Sequence, residues 1–386
     1  MGSVRKSFDE PARFCYDKNA NKYGQGDGRM SADFSLAKAY EKYFKIGAAV
    51  TPYQLQIHGD LIARQFSSIT PENEMKYEPI EPEEGQFHFD LADKIAAFGR
   101  EKGIKVRAHA PVWHNQTGAW MYKDGDRPAA PELIYERIDA HSKAMCERYN
   151  DAVYAWDVVN EAVRDDVADL VKNPEESDVL RSSDYSRLCG YGFIEAAFRS
   201  MDKYSPNAQL FYNDYNECQP DKRERIVKLI RYLQDRGCRV DGMGMQQHHF
   251  GRPDFDEIKK SIETYAALGL RLHITELDVG MMAVLPPDVK HPKPEDPGFE
   301  DFMRKALTAT PETLKGVNDI YVKLFEIYRS YADVIDCVTT WGVADDYTWM
   351  DGFGPNRKLR IKQHPLLFDE QEQPKPCVLQ MMEAVK

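Results

Sequence analysis

The chain has 386 residues, 42% hydrophobic and 30% charged, enough to bury one large core or two modest ones. Its formal net charge of −12, with scattered lysines and arginines, argues against nucleic acid or an anionic membrane as a partner and favours a neutral or cationic ligand. No stretch approaches the roughly 18 continuous apolar residues of a membrane helix, and the seven dispersed cysteines form no CxxC pair and suggest no disulfide framework.

The opening MGSVRKSFDEPARF has no apolar core of a secretory signal. Met1-Gly2-Ser3 resembles a cloning scar, so the expectation is a cytoplasmic protein if full-length and a secreted one if a leader was trimmed. Residues 1–35 precede any periodic pattern and are expected to pack on the domain that follows. From residue 36, β-rich runs at 45–50, 66–70, 104–110, 152–160, 208–214, 241–248, 271–278 and 337–344 alternate with stretches whose apolar residues recur every three or four positions. The helices predicted at 91–103, 221–237 and 255–269 each finish on glycine, a preferred helix stop. The last helix is predicted at 375–386. Eight strand–helix units predict an α/β fold, a single (β/α)8 TIM barrel over 36–386, with long connections after the fourth strand (164–184) and the seventh (280–311).

A barrel of this kind carries its site at the carboxyl ends of its strands. After the second strand stand Glu72, Asn73 and Lys76; the third runs into His109, Trp113, His114, Gln116 and Trp120. The fourth ends in Asn160-Glu161, the fifth in Asn213 and Tyr215, the sixth in Gln246, His248 and His249. The seventh carries Glu276 and Asp278, the eighth Trp341 and Trp349. Each is an ordinary turn residue taken singly, but polar and aromatic groups at seven successive strand tips form a site. The first strand, KIGAAVTPY, lacks the closely spaced histidines of metal-dependent hydrolase barrels, and adjacent His248 and His249 would face opposite ways along a strand. No metal and no cofactor is therefore expected. GQGDG precedes the first strand and opens no helix, so it is no phosphate loop.

Glycoside chemistry suits the pattern. It needs one protonated carboxyl to donate to the leaving oxygen and one carboxylate to attack or to activate water. The fourth and seventh strands each end an apolar run in Glu and lie across the mouth from one another. Indoles and phenols offer flat apolar faces to sugar rings, and amides, imidazoles and Lys76 offer hydrogen bonds.

The motifs DVVNEA (157–162), ITELDV (274–279), ENEMKY (72–77), VWHNQT (112–117), NDYN (213–216), GMGMQQH (242–248), TTWGVADDYTW (339–349) and PLLFD (365–369) occur in this order. Together they resemble family 10 glycoside hydrolases, chiefly endo-1,4-β-xylanases, over about residues 36 to 384. The resemblance implies a retaining hydrolase acting on xylan or xylo-oligosaccharides, with Glu161 as acid/base and Glu276 as nucleophile. It implies that Asn160 bonds the sugar 2-hydroxyl, and that Asn213, Gln246 and His248 support the nucleophile side. Glu72, Asn73, Lys76, His109 and Gln116 would hold the glycone sugars. Trp113, Trp341 and Trp349 would wall and roof the cleft, and Tyr215 would stack on the leaving-group side. The sequence departs from the family pattern at Ala108, Ala110 and Pro111 around His109, at Tyr77 and at Gln247, which bears on subsite preference rather than on reaction type. Two further readings keep the fold: a non-catalytic xylan binder, opposed by the presence of both glutamates, and a related β-glycanase acting on aryl β-glycosides or cellobiosides. The proline-rich loop 280–311 is expected to wall the leaving-group end of the cleft.

Overall fold

The computed structural model describes residues 34–165, 178–286, 289 and 292–386. The expectation that 1–35 packs on the barrel falls outside these residues, apart from Phe34 and Ser35.

Eight parallel strands follow: β1 (Lys45–Val50), β2 (Ser68–Pro71), β3 (Lys105–Trp113), β4 (Val153–Asn160), β5 (Gln209–Asp214), β6 (Gly242–Met245), β7 (Arg271–Val279) and β8 (Ile335–Thr340). They neighbour one another in chain order, and β8 pairs with both β7 and β1, so the sheet closes into a barrel with helices between strands. Local chemistry sets the turns. Thr51 alone joins β1 to the helix Pro52–Gln65: its hydroxyl accepts from the Gln54 amide, the Gln54 side chain accepts from the Thr51 amide, and proline follows at the first helical position. The glycine stops expected after three helices are found as left-handed residues, Gly103 at φ 67°, Gly237 at 70° and Gly269 at 80°.

Four strands differ from their predicted spans by two residues or more: β2 starts at Ser68, β3 runs on to Trp113, and β6 and β8 are also displaced. β6 stops at Met245 because Gln247 adopts a φ of 59°, and His248–His249 resume as a separate two-residue strand on β7. β8 starts two residues earlier than expected and ends at Thr340. Trp341 to Ala344 remain buried beyond the ladder, so their apolar character reflects burial rather than strand pairing.

The barrel interior is not uniformly apolar. Arg107, fully buried on β3, donates from Nε to Asp157 Oδ2 at 3.1 Å and from Nη2 to the other carboxylate oxygen, while Nη1 meets His273 and the guanidinium lies 4.7 Å from the Phe211 ring centre. Asp157 also pairs with His109 Nδ1 at 3.0 Å. Burial pushes the Asp157 carboxyl up, but Arg107 and the His109 hydrogen bond outweigh it and leave it below the usual range. Burial, together with the charge of Arg107, holds His273 well below its ordinary value, so it is neutral. β6 reads GMGM because this interior is full: a Cβ on Gly244 would sit 2.2 Å from Asn213 Oδ1 and 2.9 Å from Arg107 Nη2.

A buried histidine bonded to two half-exposed carboxylates ties the barrel's first helix to its closing segment. His58, 4% exposed, places Nδ1 2.7 Å from Glu372 Oε1 and Nε2 3.0 Å from Asp346 Oδ1. Burial alone would lower its pKa, but hydrogen bonds to Asp346 and Glu372 and their charges raise it above the ordinary histidine value. A raised folded-state pKa means stabilisation that is complete below the unfolded value of about 6.5 and is lost as pH rises through the folded value. His58→Gln is therefore expected to melt below the parent protein at pH 6, with the gap narrowing on the alkaline side. Thermal unfolding across that range checks it; a gap constant with pH would remove His58 as the linked group.

The long loop after β4 begins and ends as a paired stem. Val163 bridges Leu180, and Arg181 N donates to Ala162 O at 2.8 Å. Lys222 Nζ fastens it, donating to Val163 O at 2.9 Å and to Asp165 Oδ1 at 2.7 Å. The loop after β7 includes a 3₁₀ turn, Met281–Val284, and a helix, Phe299–Ala306, before the helix Pro311–Ser330. Among the described residues no helix is long and apolar enough to cross a membrane.

Candidate active site

A cleft of about 740 Å³ opens at the carboxyl ends of the strands. It is lined by the strand-tip residues singled out from the sequence except Trp120, His249, Asp278 and Asn213, the last fully buried directly behind Glu276.

Glu161 and Glu276 are the ends of one hydrogen-bonded chain. Gln246 Nε2 donates to Glu161 Oε1 at 3.1 Å and to Asn160 Oδ1 at 3.2 Å. Asn213 Nδ2 donates to the same Asn160 oxygen at 2.9 Å and to Glu276 Oε1 at 2.8 Å, and its own oxygen accepts from the Thr275 hydroxyl at 2.7 Å. Asn160 thus spends its carbonyl inward and keeps its NH₂ for a ligand. The other oxygen of Glu161 accepts from Trp113 Nε1 at 2.9 Å.

Backbone geometry aims Glu161. Its φ is 54°, its amide donates to Asn213 O at 2.8 Å, and its carbonyl accepts from Arg181 Nε at 3.0 Å. Gln116, Asn216 and Gln247 are also left-handed, so the strain of roughly 1–3 kcal/mol per such residue is gathered at the barrel mouth.

The electrostatics of the two sides differ. His248 sets Nε2 3.2 Å from Glu276 Oε2 and Nδ1 3.0 Å from Asp278 Oδ1. Burial would discharge this ring, but Asp278 and Glu276 outweigh burial and lift its pKa to about 10, so it stays an imidazolium. Glu276 responds in kind. Burial pushes its carboxyl up, while the His248 hydrogen bond, His109, and the Asn213 amide bring it below the usual range, favouring the ionised form. His249 faces away, as expected for alternate strand positions; burial and the charge of His248 push it down to about 3.

At the β2 end, burial and the neighbouring Glu74 lift Glu72 to about 7. Lys76 donates to Asn73 Oδ1 at 2.9 Å and stands 4.5 Å from the Trp113 ring centre. Trp341 is edge-on to His109, and Trp349 donates from Nε1 to Asp278 Oδ2 at 2.7 Å. At the β5 end, the Tyr215 hydroxyl accepts from Arg181 Nη2 at 2.6 Å and donates to Asp165. Among the described residues no group of three or more His, Cys, Asp or Glu side chains could hold a metal ion.

Three sequence expectations need amendment. Trp120 does not reach the cleft; it packs edge-on to Tyr77 with the Arg137 guanidinium 5.4 Å from its ring centre. Arg181, Phe250 and Phe353 line the cleft without having been singled out. Arg181 lies far along the chain from any strand tip, and phenylalanines outside a strand read as core. Finally, no described residue of the 280–311 loop lines the cleft. Gly280, Met282, Phe299, Phe302, Met303 and Leu307 instead line an apolar hollow of about 240 Å³, which the loop shares with Phe250 and Phe353. The described part of the loop backs the cleft rather than walling it.

Comparison with known proteins agrees with this geometry. Residues 35–384 match the sequence model of glycosyl hydrolase family 10. The endo-1,4-beta-xylanase A of Caldicellulosiruptor saccharolyticus is 40% identical over 354 residues, covering 91% of this chain and 96% of its own. An endo-1,4-beta-xylanase of Geobacillus stearothermophilus is 41% identical over 345 residues, 89% of this chain and 96% of its own. Among solved structures, the xylanase XynB of Paenibacillus barcinonensis, complexed with a conduramine derivative, superimposes with a TM-score of 0.79 at 39% identity over 91% of this chain and 99% of its own. A mutant protein in complex with xylotriose gives 0.77 at 38% identity, over 91% of this chain and 99% of its own. The chain belongs to glycosyl hydrolase family 10.

Proposed function

We propose that the protein is an endo-1,4-β-xylanase that cleaves internal β-1,4 bonds of xylan and xylo-oligosaccharides by a retaining double displacement. The observation that carries the reading is the pair Glu161 and Glu276, facing one cleft from β4 and β7 and joined through Gln246, Asn160 and Asn213. Glu276 is the nucleophile. Its ionised carboxylate attacks the anomeric carbon, the glycosidic C–O bond breaks, and Glu161 delivers its proton to the departing oxygen. Water then attacks the glycosyl ester, Glu161 takes the water's proton, and Glu276 leaves as carboxylate.

His248 keeps positive charge beside Glu276, and Asn213 holds its other oxygen. The free NH₂ of Asn160 suits the 2-hydroxyl of the sugar being cleaved. Glu72, Asn73, Lys76, His109 and Gln116 hold the glycone sugars, Tyr215 meets the leaving group, and Trp113, Trp341 and Trp349 supply the apolar faces.

The test is comparative hydrolysis of xylan and carboxymethyl cellulose, with proton NMR of the first-formed product. Expected is release of β-anomeric reducing ends from xylan at a rate well above that on cellulose. A larger rate on cellulose would move the substrate to glucans, and initial α-anomer would overturn the double displacement.

A further inference from the structure

Two exposed tyrosines sit side by side at the rim of the barrel mouth. Tyr53 is 55% exposed and Tyr347 is 37% exposed, with ring centres 6.4 Å apart and planes inclined by 55°. Tyr53 lies in the first turn of the helix that leaves β1 through Thr51, and Tyr347 follows the end of β8. Adjacent strands thus deliver both rings to the carboxyl-end face. Neither ring lines the cleft, but Tyr347 lies within electrostatic reach of its β2 end: burial, with the charges of Glu72 and Glu74, pushes its hydroxyl up to about 12.

The pair is also fixed in place. His58, on the same helix as Tyr53, bonds Asp346, the residue before Tyr347, at 3.0 Å, and reaches Glu372 at 2.7 Å. Two elements that could drift apart are therefore locked by a buried imidazole, so little ordering would be needed when a ligand settles on the rings. Scattered single apolar residues on a surface need no explanation, but paired, rigid aromatic faces beside a sugar cleft do.

We propose that Tyr53 and Tyr347 form a stacking platform for neutral pyranose rings of a xylan chain, continuing the glycone end of the cleft beyond Glu72. This rests on the xylanase reading and deepens it. Tyrosine faces match the C–H faces of a sugar. The neighbouring Asp346, Glu72, Glu74 and Glu372 disfavour an anionic occupant, so an undecorated xylosyl unit is the fitting one.

The experiment uses aryl β-glycosides of xylobiose, xylotriose and xylotetraose, which differ only in glycone length. In the parent protein kcat/KM should rise along this series. In Tyr53→Ala/Tyr347→Ala, the ratio of kcat/KM on the xylotetraoside to that on the xylobioside should fall roughly tenfold, the loss of one or two ring-stacking contacts. Tyr53→Phe/Tyr347→Phe, which keeps the rings, should retain most of the ratio. An unchanged ratio in the alanine variant, or a parent protein with no gain along the series, would overturn the platform. Failure of the parent protein to cleave the aryl xylobioside at all would instead count against the xylanase reading. The two failures are therefore distinguishable.

Discussion

Glu276→Ala is expected to stop turnover on every xylan substrate, a loss on the order of 10⁵–10⁶-fold, because a deleted nucleophile removes the covalent route altogether. No other described carboxylate is held as Glu276 is, with one oxygen bonded by Asn213 and the other by imidazolium His248. Glu161→Ala should behave differently. On xylan, whose leaving sugar needs a proton, the loss should be about 10²–10⁴-fold, the usual worth of a general acid. On an aryl xylobioside with an acidic leaving group, the glycosyl-enzyme should still form and then accumulate for want of a base. Added azide should restore turnover and give the β-glycosyl azide. The intermediate is read by mass spectrometry and the azide by NMR. An α-azide, or rescue of the Glu276 variant alone, would show that the two roles are exchanged.

The largest stability effect should come from the barrel interior. Arg107→Leu leaves Asp157 buried with His109 as its remaining hydrogen-bond partner, and breaking a buried pair in this way costs about 3–5 kcal/mol. Replacing both residues with leucine removes the charge along with its partner, so the double variant should cost clearly less than the sum of the two single changes. Urea unfolding of the four proteins measures the coupling. A single-variant cost below about 1 kcal/mol, or strict additivity, would mean that Asp157 finds other compensation in place. The same pair orients His109 toward the cleft, so the single variant should also raise KM for substrates that fill the glycone end.

What could be read from sequence follows from where polarity breaks an apolar run. Asn160-Glu161 after Val158-Val159 and Glu276 near the tip of β7 were legible because a buried strand has no other reason to end that way. The helix stops at Gly103, Gly237 and Gly269 were legible for a similar reason. Arg107 and Asp157 were not. A charged residue inside a strand looks like a solvent-facing position, and only the closed barrel shows that each is the other's partner. The break in β6 was hidden because Gln247 is neither glycine nor asparagine, and its left-handed backbone is sustained by side-chain bonds to Glu217 and Tyr328. Arg181 was hidden by distance. It returns to the Glu161 carbonyl only because the loop ends close as a paired stem.

The amide chain between the two glutamates has a direction. Every donor hydrogen of Asn213 Nδ2 already has an acceptor, and Asn160 Oδ1 already takes two donors. Turning Asn213 over would set oxygen against oxygen, and turning Asn160 over would set donor against donor. Aspartate has nearly the same shape as asparagine and would fit either place, so packing would not resist the exchange. It would nevertheless insert a negative charge between two carboxyl groups whose ionisation must be kept distinct, and at Asn160 it would erase the donor kept for the sugar. At these two positions the enzyme is vulnerable to a change of a single atom, nitrogen to oxygen, such as hydrolysis of the side-chain amide during ageing. A preparation could thus lose activity while keeping almost its entire mass.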